Sequence, residues 1–233
     1  MEHPWLHELL YLRYDVPLQK PPGVEMDWCA FNYDLLGEIV RRVSGNSLAD
    51  FCRERIFAPL GMVDTHYIVP GSVGQRVVRF PADSEWADLI AVHKLEETPW
   101  AGAGAYSTAM DMAIFGQMFL NRGTYGDARI LSPASVAEMT RNQIPGISAR
   151  YWIEFFPEAS WGLGWNIHGD KRDWTRGTLH SPQAFLRGSI DSVLLWVDPV
   201  YEIAGSYFSV TVEGRFVCQD LFMNAVTAAI VDV

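Results

Sequence analysis

Few lysines and no long apolar run are the first features of this chain, and each scarcity removes a class of function. Three lysines stand against fifteen arginines in 233 residues, and 28 acidic residues against 18 basic ones leave a formal net charge of −10. Nucleic-acid binders concentrate Lys and Arg on one face to follow phosphates, so an acidic chain with a pI near 5.0 argues against that partner. No uninterrupted apolar stretch approaches the roughly 20 residues that a membrane span needs. The segment Met1-Glu2-His3-Pro4-Trp5 also lacks a basic region followed by an apolar one. The expectation is a chain with neither a membrane nor a nucleic acid as partner. Cysteine is scarce too: Cys29, Cys52 and Cys218 are odd in number and widely spaced, which fits reduced thiols in a cytoplasmic setting better than a disulfide framework. None of the six histidines pairs with a cysteine at ligand spacing, so neither a metal nor another cofactor is expected.

What is present suffices for a globular domain. With 49% hydrophobic and 20% charged residues the chain can bury a real core, and residues 1–233 are read as a single domain. Prolines 17, 21 and 22 with Gly23 make residues 1–30 an irregular segment after a short helix at 5–14. Residues 31–160 read as mainly helical. Leu35, Leu36, Ile39, Val40 and Val43 recur at helical spacing before a stop at Gly45. Ser47 with Asp50 caps a second helix, striped by Leu48, Phe51, Cys52 and Ile56 and ended by Pro59. Thr108 opens a helix carrying Met112, Phe115 and Phe119, and Ser132-Pro133 opens another. From 161 to 233 the period changes. Residues 162–167, 184–188, 192–198 and 203–210 read as strands, and a last helix places Val217, Leu221, Ala225 and Ala228 on a face suited to pack over the sheet. Helices followed by an antiparallel meander give an α+β fold class.

A series of short motifs gives that order a family. Asn32-Tyr33-Asp34-Leu35-Leu36-Gly37 runs into Ser44-Gly45-Asn46-Ser47-Leu48, then Ile56-Phe57-Ala58-Pro59-Leu60-Gly61-Met62. Further on come Ala101-Gly102-Ala103-Gly104-Ala105-Tyr106-Ser107-Thr108, Trp161-Gly162-Leu163-Gly164-Trp165 and Leu195-Trp196-Val197-Asp198-Pro199. In this order and spacing the series resembles the serine β-lactamase and penicillin-binding-protein superfamily, in its class C, DD-peptidase and family VIII esterase branch. The resemblance implies a partial β-lactamase/transpeptidase-like fold. It also implies three clusters of catalytic residues, each altered here. The nucleophile of that family is the serine of Ser-x-x-Lys, whose lysine helps take the hydroxyl proton. The residues three before Lys20, Lys94 and Lys171 are Pro17, Ala91 and His168, so the motif is not in this chain. The family's Tyr-Ser-Asn falls on Trp28-Cys29-Ala30, where an indole can donate one hydrogen bond but cannot accept a proton. Its Lys-Thr-Gly or His-x-Gly falls on Arg187-Gly188-Ser189, which keeps a positive charge but offers no base.

Two readings of the remaining residues stay open. Cys29 is a nucleophile if Arg187 lowers its pKa, or a small buried residue filling the space of a serine. His180 and Asp191, flanking the Arg187 strand, form an acid and base pair, or are solvated groups beside turns. Trp28, Cys29, Arg187, Gly188 and Ser189 are the candidate ligand-binding set, and Cys29, Arg187, His180 and Asp191 the candidate catalytic one. The resemblance further implies that the nucleophile helix and the first sheet strands lie outside this chain, leaving a strand edge that a second copy, a partner chain or the N-terminal 30 residues refolded over the gap would cover. Three functions follow: a degenerate pseudoenzyme binding a small molecule or acting in assembly, an enzyme with new chemistry in the old cleft, or half of a split serine hydrolase.

Overall fold

The computed structural model describes residues 11, 15–82, 84, 87, 88, 90, 91, 96–151, 154–169, 179–189, 193–210 and 215–231. They fall into two compact units, one running over 28–108 and including the stretch up to Pro21, the other formed by 22–27 and 109–233. The helix expected at 5–14 lies outside the described residues except for Tyr11.

The first unit is built on helix α1, Ala30–Ser44, which stops as its sequence requires. Gly45 adopts φ 73° and returns its N–H to the Arg41 carbonyl, while Arg41 and Arg42 meet the negative end of the helix dipole. The expected apolar face is turned inward only in part, with Leu35 and Val40 half-buried. Leu36, Ile39 and Val43 are exposed, Val43 at 83%, whereas Asp34 and Glu38 are buried at 3% and 8%. Hydrogen bonds offset part of that burial: Gly102 donates its N–H to Asp34 Oδ1, and both oxygens of Glu38 accept from the guanidinia of Arg41 and Arg42. Next, the Ser47 hydroxyl accepts from the Asp50 N–H at 3.0 Å to cap α2, Leu48–Cys52. Pro59 does not end this helix. A π-helical turn at Arg53–Phe57 leads into α3, Ala58–Leu60, whose first turn tolerates a proline lacking an N–H, and Gly61 at φ 70° makes the stop.

The second unit carries a four-stranded antiparallel sheet in the order β6 (Asn166–Ile167), β7 (Phe185–Gly188), β8 (Leu194–Asp198) and β9 (Ile203–Tyr207). The strand expected at 162–167 is shorter, because Gly162 bonds back to the Trp165 carbonyl in a turn and Gly164 takes φ 85°. Helix α4, Ala109–Leu120, packs across β8 and β9, with Gly116 lying against Leu195, Val197 and Ala204. On the opposite face lies α6, Arg215–Ala228. Its inward residues are Gln219, Met223 and Val226; Met223 joins Leu186, Leu194 and Trp196 in the core. Val217 and Leu221, expected to cover the sheet, face solvent instead, so the helix is turned from the face that its aliphatic residues suggested.

Between these elements, α5 (Pro133–Met139) begins at Ser132, whose hydroxyl accepts from the Ser135 N–H, and a small hairpin pairs β2 (Thr124–Tyr125) with β3 (Ala128–Arg129). A second sheet was not foreseen. In it β1 (Glu25–Asp27) runs parallel to β4 (Ser148–Tyr151), which pairs antiparallel with β5 (Glu154–Phe156).

Candidate functional site

The start of α1 sets the geometry of the first group of residues. Cys29 is the N-cap, with extended backbone at φ −144° and ψ 128°, and its side chain makes no capping hydrogen bond. The thiol is exposed, so Cys29 is not the buried filler of a serine's space. Trp28, just before it, is half-buried, with its ring 6.5 Å from that of Tyr33. Ala30 opens the helix, and the glycine-rich loop lies tightly upon it. A side chain at Gly102 would meet Asp34 Oδ1 at 3.1 Å and the Ala30 carbonyl at 3.3 Å, and one at Gly37 would meet the Ala101 methyl at 2.7 Å. Gly104 likewise has no room beside the Trp100 backbone. Ala30, which the motif resemblance sets on the family's asparagine, thus has its methyl group close to a backbone loop. Behind it, burial pushes the Cys52 thiol up to about 11, which leaves it protonated and inert. Burial likewise raises Tyr67 well above the ordinary phenol value, with Cys52 adding to the effect.

The second group lies on the sheet of the other unit. Arg187 is half-buried on β7, opposite Leu195 of β8, with its guanidinium carbon 5.7 Å from the Trp161 ring centroid. That distance fits a cation stacked on an indole, which fixes the planar fork. Gly188 ends the strand, and the Ser189 N–H closes the turn on the Val193 carbonyl at 2.9 Å. Ser189 is exposed.

His180 is not a solvated group beside a turn. It is buried at 6%, and its Nε2 lies 3.0 Å from His168 Nδ1, the two rings edge to face. Burial lowers the His180 pKa, against an opposing pull from Asp198. Its partner is thus a second imidazole; Asp191, its expected partner, lies outside the described residues. Asp198 at the end of β8 anchors the approach to β7, accepting from the Ser181 N–H at 2.6 Å, the Ser181 hydroxyl at 2.7 Å and the Val200 N–H at 3.0 Å. Among the described residues no group of three or more His, Cys, Asp or Glu is placed to hold a metal ion, and no helix is long and apolar enough to cross a membrane.

Residues missed in the sequence are mostly buried polar ones: Asp34, Glu38, Asp198 and the His168 partner. Asp34 and Glu38 share a helix face at i, i+4 spacing, a signal that was there to be read; His168 carried none.

This α+β arrangement, with its glycine-rich loop on α1 and its late strands between two helices, is that of the serine β-lactamase and penicillin-binding-protein superfamily. The Beta-lactamase family model matches residues 2–225, and the chain belongs to that family. A curated relative from Escherichia coli O157:H7, named "Putative D-alanyl-D-alanine carboxypeptidase", is 28% identical over 212 residues, covering 81% of this chain and 45% of its own length. The chain thus spans about half the length of the curated relatives it matches. Among solved structures, a penicillin-binding-protein homologue from Caulobacter crescentus superposes on 97% of this chain and 65% of its own, with TM-score 0.74 and 20% identity. EstA from Arthrobacter nitroguajacolicus covers 96% of this chain and 67% of its own, with TM-score 0.70 and 21% identity. At those identities the structures establish the fold alone.

Proposed function

We propose that this chain is a ligand-holding member of the β-lactamase family that does not by itself form an acyl-enzyme. What supports it is the start of α1, where the motif resemblance sets the indole of Trp28 and the methyl group of Ala30 on the family's proton shuttle and substrate-holding amide. Neither can accept a proton. No Ser-x-x-Lys occurs in its 233 residues, and the position that the resemblance gives to the shuttle tyrosine holds Trp28. What it keeps is suited to binding. Arg187, stacked on Trp161, presents a permanent cation to a carboxylate or another small anion. The curated relative is named a D-alanyl-D-alanine carboxypeptidase, and a cation on β7 is the part of such a task compatible with this chain.

The exposed Cys29 favours a second reading, in which the old position holds a thiol nucleophile. One experiment separates the two. The purified chain is treated with a fluorophosphonate, with a β-lactam and with iodoacetamide, and each adduct is located by mass spectrometry alongside ester turnover. Binding without chemistry predicts no fluorophosphonate or β-lactam adduct, and Cys29 alkylation that leaves any residual turnover unchanged. A stoichiometric serine adduct would overturn the proposal. Turnover abolished by Cys29 alkylation would install the thiol reading in its place.

A further inference from the structure

Reading Arg187 as the cation that holds a carboxylate, we propose that Asn142 and Glu158 are its positioning residues: they fix Trp161, and Trp161 fixes the guanidinium before an anion arrives. The guanidinium carbon stands 5.7 Å from the Trp161 ring centroid, so the direction of the fork follows that of the indole. An arginine side chain free in solvent loses rotamer freedom when it takes up a ligand, and one already laid on a fixed ring has less to lose. The firmness of Trp161 thus enters the affinity at Arg187.

Trp161 is held through its backbone. Asn142, between α5 and β4, accepts at Oδ1 from the Ile144 N–H at 3.0 Å and from the Trp161 N–H at 3.2 Å. The first bond is the local one of an Asx turn, made to the residue two places on. The second ties that turn to the tryptophan 19 residues away. On its other side the Trp161 carbonyl accepts from the Gln143 N–H at 2.8 Å, and the carbonyl of Ser160 accepts from the Ile167 N–H at 3.0 Å. Ser160 itself is 5% exposed and sits at φ 43°, a left-handed conformation that a residue with a Cβ enters at a cost. Such strain persists where the surroundings over-determine it, and it clusters at binding sites.

Glu158 settles which way the Asn142 amide faces. Two N–H donors claim the amide oxygen, so the Nδ2 group points away from them and donates to Glu158 Oε1 at 3.1 Å, while Glu158 Oε2 accepts from the Gly146 N–H at 2.9 Å. A carboxylate at position 142 keeps the acceptor for Trp161 but loses the donor to Glu158, and it sets two negative charges side by side. With the acid at position 142 and an amide at 158, each donor again meets an acceptor.

That exchange supplies the test. Titration with acetate and with benzoate, followed by NMR, gives the affinity. The Arg187 Nε–H resonance, identified by its absence from Arg187→Ala, gives the place of the fork through the ring-current shift of Trp161. Asn142→Asp should weaken both probes by roughly threefold to tenfold and reduce that shift, with circular dichroism unchanged. The double variant Asn142→Asp/Glu158→Gln should restore affinity and shift together. Should Asn142→Asp not fold, Glu158→Gln, which keeps the shape and removes one acceptor, is read in the same way. Unchanged affinity and shift in the single variant overturn the positioning role, as does a folded double variant that recovers neither. Loss of the probes in Arg187→Ala but not in Asn142→Asp removes the positioning role alone. A wild type that binds neither probe, or an Arg187→Ala variant that binds them as well, removes the anion site and the positioning role with it.

Discussion

Replacing Glu38 by Gln tests why a carboxylate, rather than the leucine or valine beside it, occupies the inner face of α1. Its two oxygens accept three charge-assisted hydrogen bonds: 2.7 Å from Arg41 Nε, 2.8 Å from Arg41 Nη2 and 2.7 Å from Arg42 Nε. The Arg41 hydrogen bond, assisted by Arg42 and opposed by burial, holds the Glu38 carboxyl at about 2 against an ordinary value of 4.5. A gap of that size corresponds to roughly 3 kcal/mol of linked stability as a ceiling. The arginine side chains are 38% and 58% exposed, so solvent screening brings the expected figure down to about 1–1.5 kcal/mol. The sign follows from a depressed carboxyl: the stabilisation is complete above the unfolded value of about 4.5 and is lost as pH falls toward about 2. Urea unfolding of the wild type and Glu38→Gln should therefore differ by that amount at pH 7, stay parallel down to about pH 5, and converge in acid. Equal stability at pH 7, or a difference that does not shrink on acidification, would refute the reasoning.

Two further outcomes follow from the same kind of geometry. Gly37→Ala drives a methyl group to 2.7 Å from the Ala101 methyl, so α1 and the glycine-rich loop must separate; a loss of about 1–3 kcal/mol in denaturant unfolding is expected, and an unchanged midpoint would show that the loop yields freely. Because burial lowers the His180 pKa, this ring stabilises the fold above the ordinary histidine value and the contribution is lost as pH falls through it. His180→Gln should flatten the decline in stability between about pH 7 and 5, whereas a retained slope would assign that decline to other groups.

Element boundaries were legible wherever a local device sets them. Gly45 at the end of α1, Ser47 with Asp50 at the start of α2, and Ser132-Pro133 before α5 each act through a bond closed within a few residues. Faces were less legible, because a helical period shows that a stripe exists and not what lies opposite. In α1 Leu36, Ile39 and Val43 face outward, Leu35 and Val40 are half-buried, and Asp34 and Glu38 lie inward. In α6 Gln219 and Met223, not Val217 and Leu221, meet the sheet. Pairings between distant segments left no local trace: β1 meets β4 in a parallel ladder, Glu25 beside Ser148, across most of the helical region. The candidate site divides in the same way. Trp28, Cys29 and Arg187 could be named from motif positions, while the burial of His180 against His168 depends on the register that carries the chain from β6 to β7.

The residues at Trp28 and Ala30 bear on chemistry even for a chain completed by another polypeptide. A partner supplying Ser-x-x-Lys would restore a nucleophile and the lysine that takes its proton. With Trp28 on the shuttle position, as proposed, it would not restore the second proton-transfer group, since an indole has a hydrogen to donate and no basic lone pair with which to receive one. Nor would it restore the amide that holds substrate, because Ala30 sits under the glycine-rich loop, its carbonyl 3.3 Å from where a side chain on Gly102 would begin. A larger residue at position 30 must therefore project away from that loop. Completion by a partner is thus compatible with a slow acylation resting on the lysine alone, and acceleration by Trp28→Tyr in such a complex would show that the missing shuttle limits it. In the proposed reading the chain, with no Ser-x-x-Lys and an indole where the shuttle is expected, keeps the cation of Arg187 against the Trp161 ring on one unit and the exposed thiol of Cys29 at the head of α1 on the other.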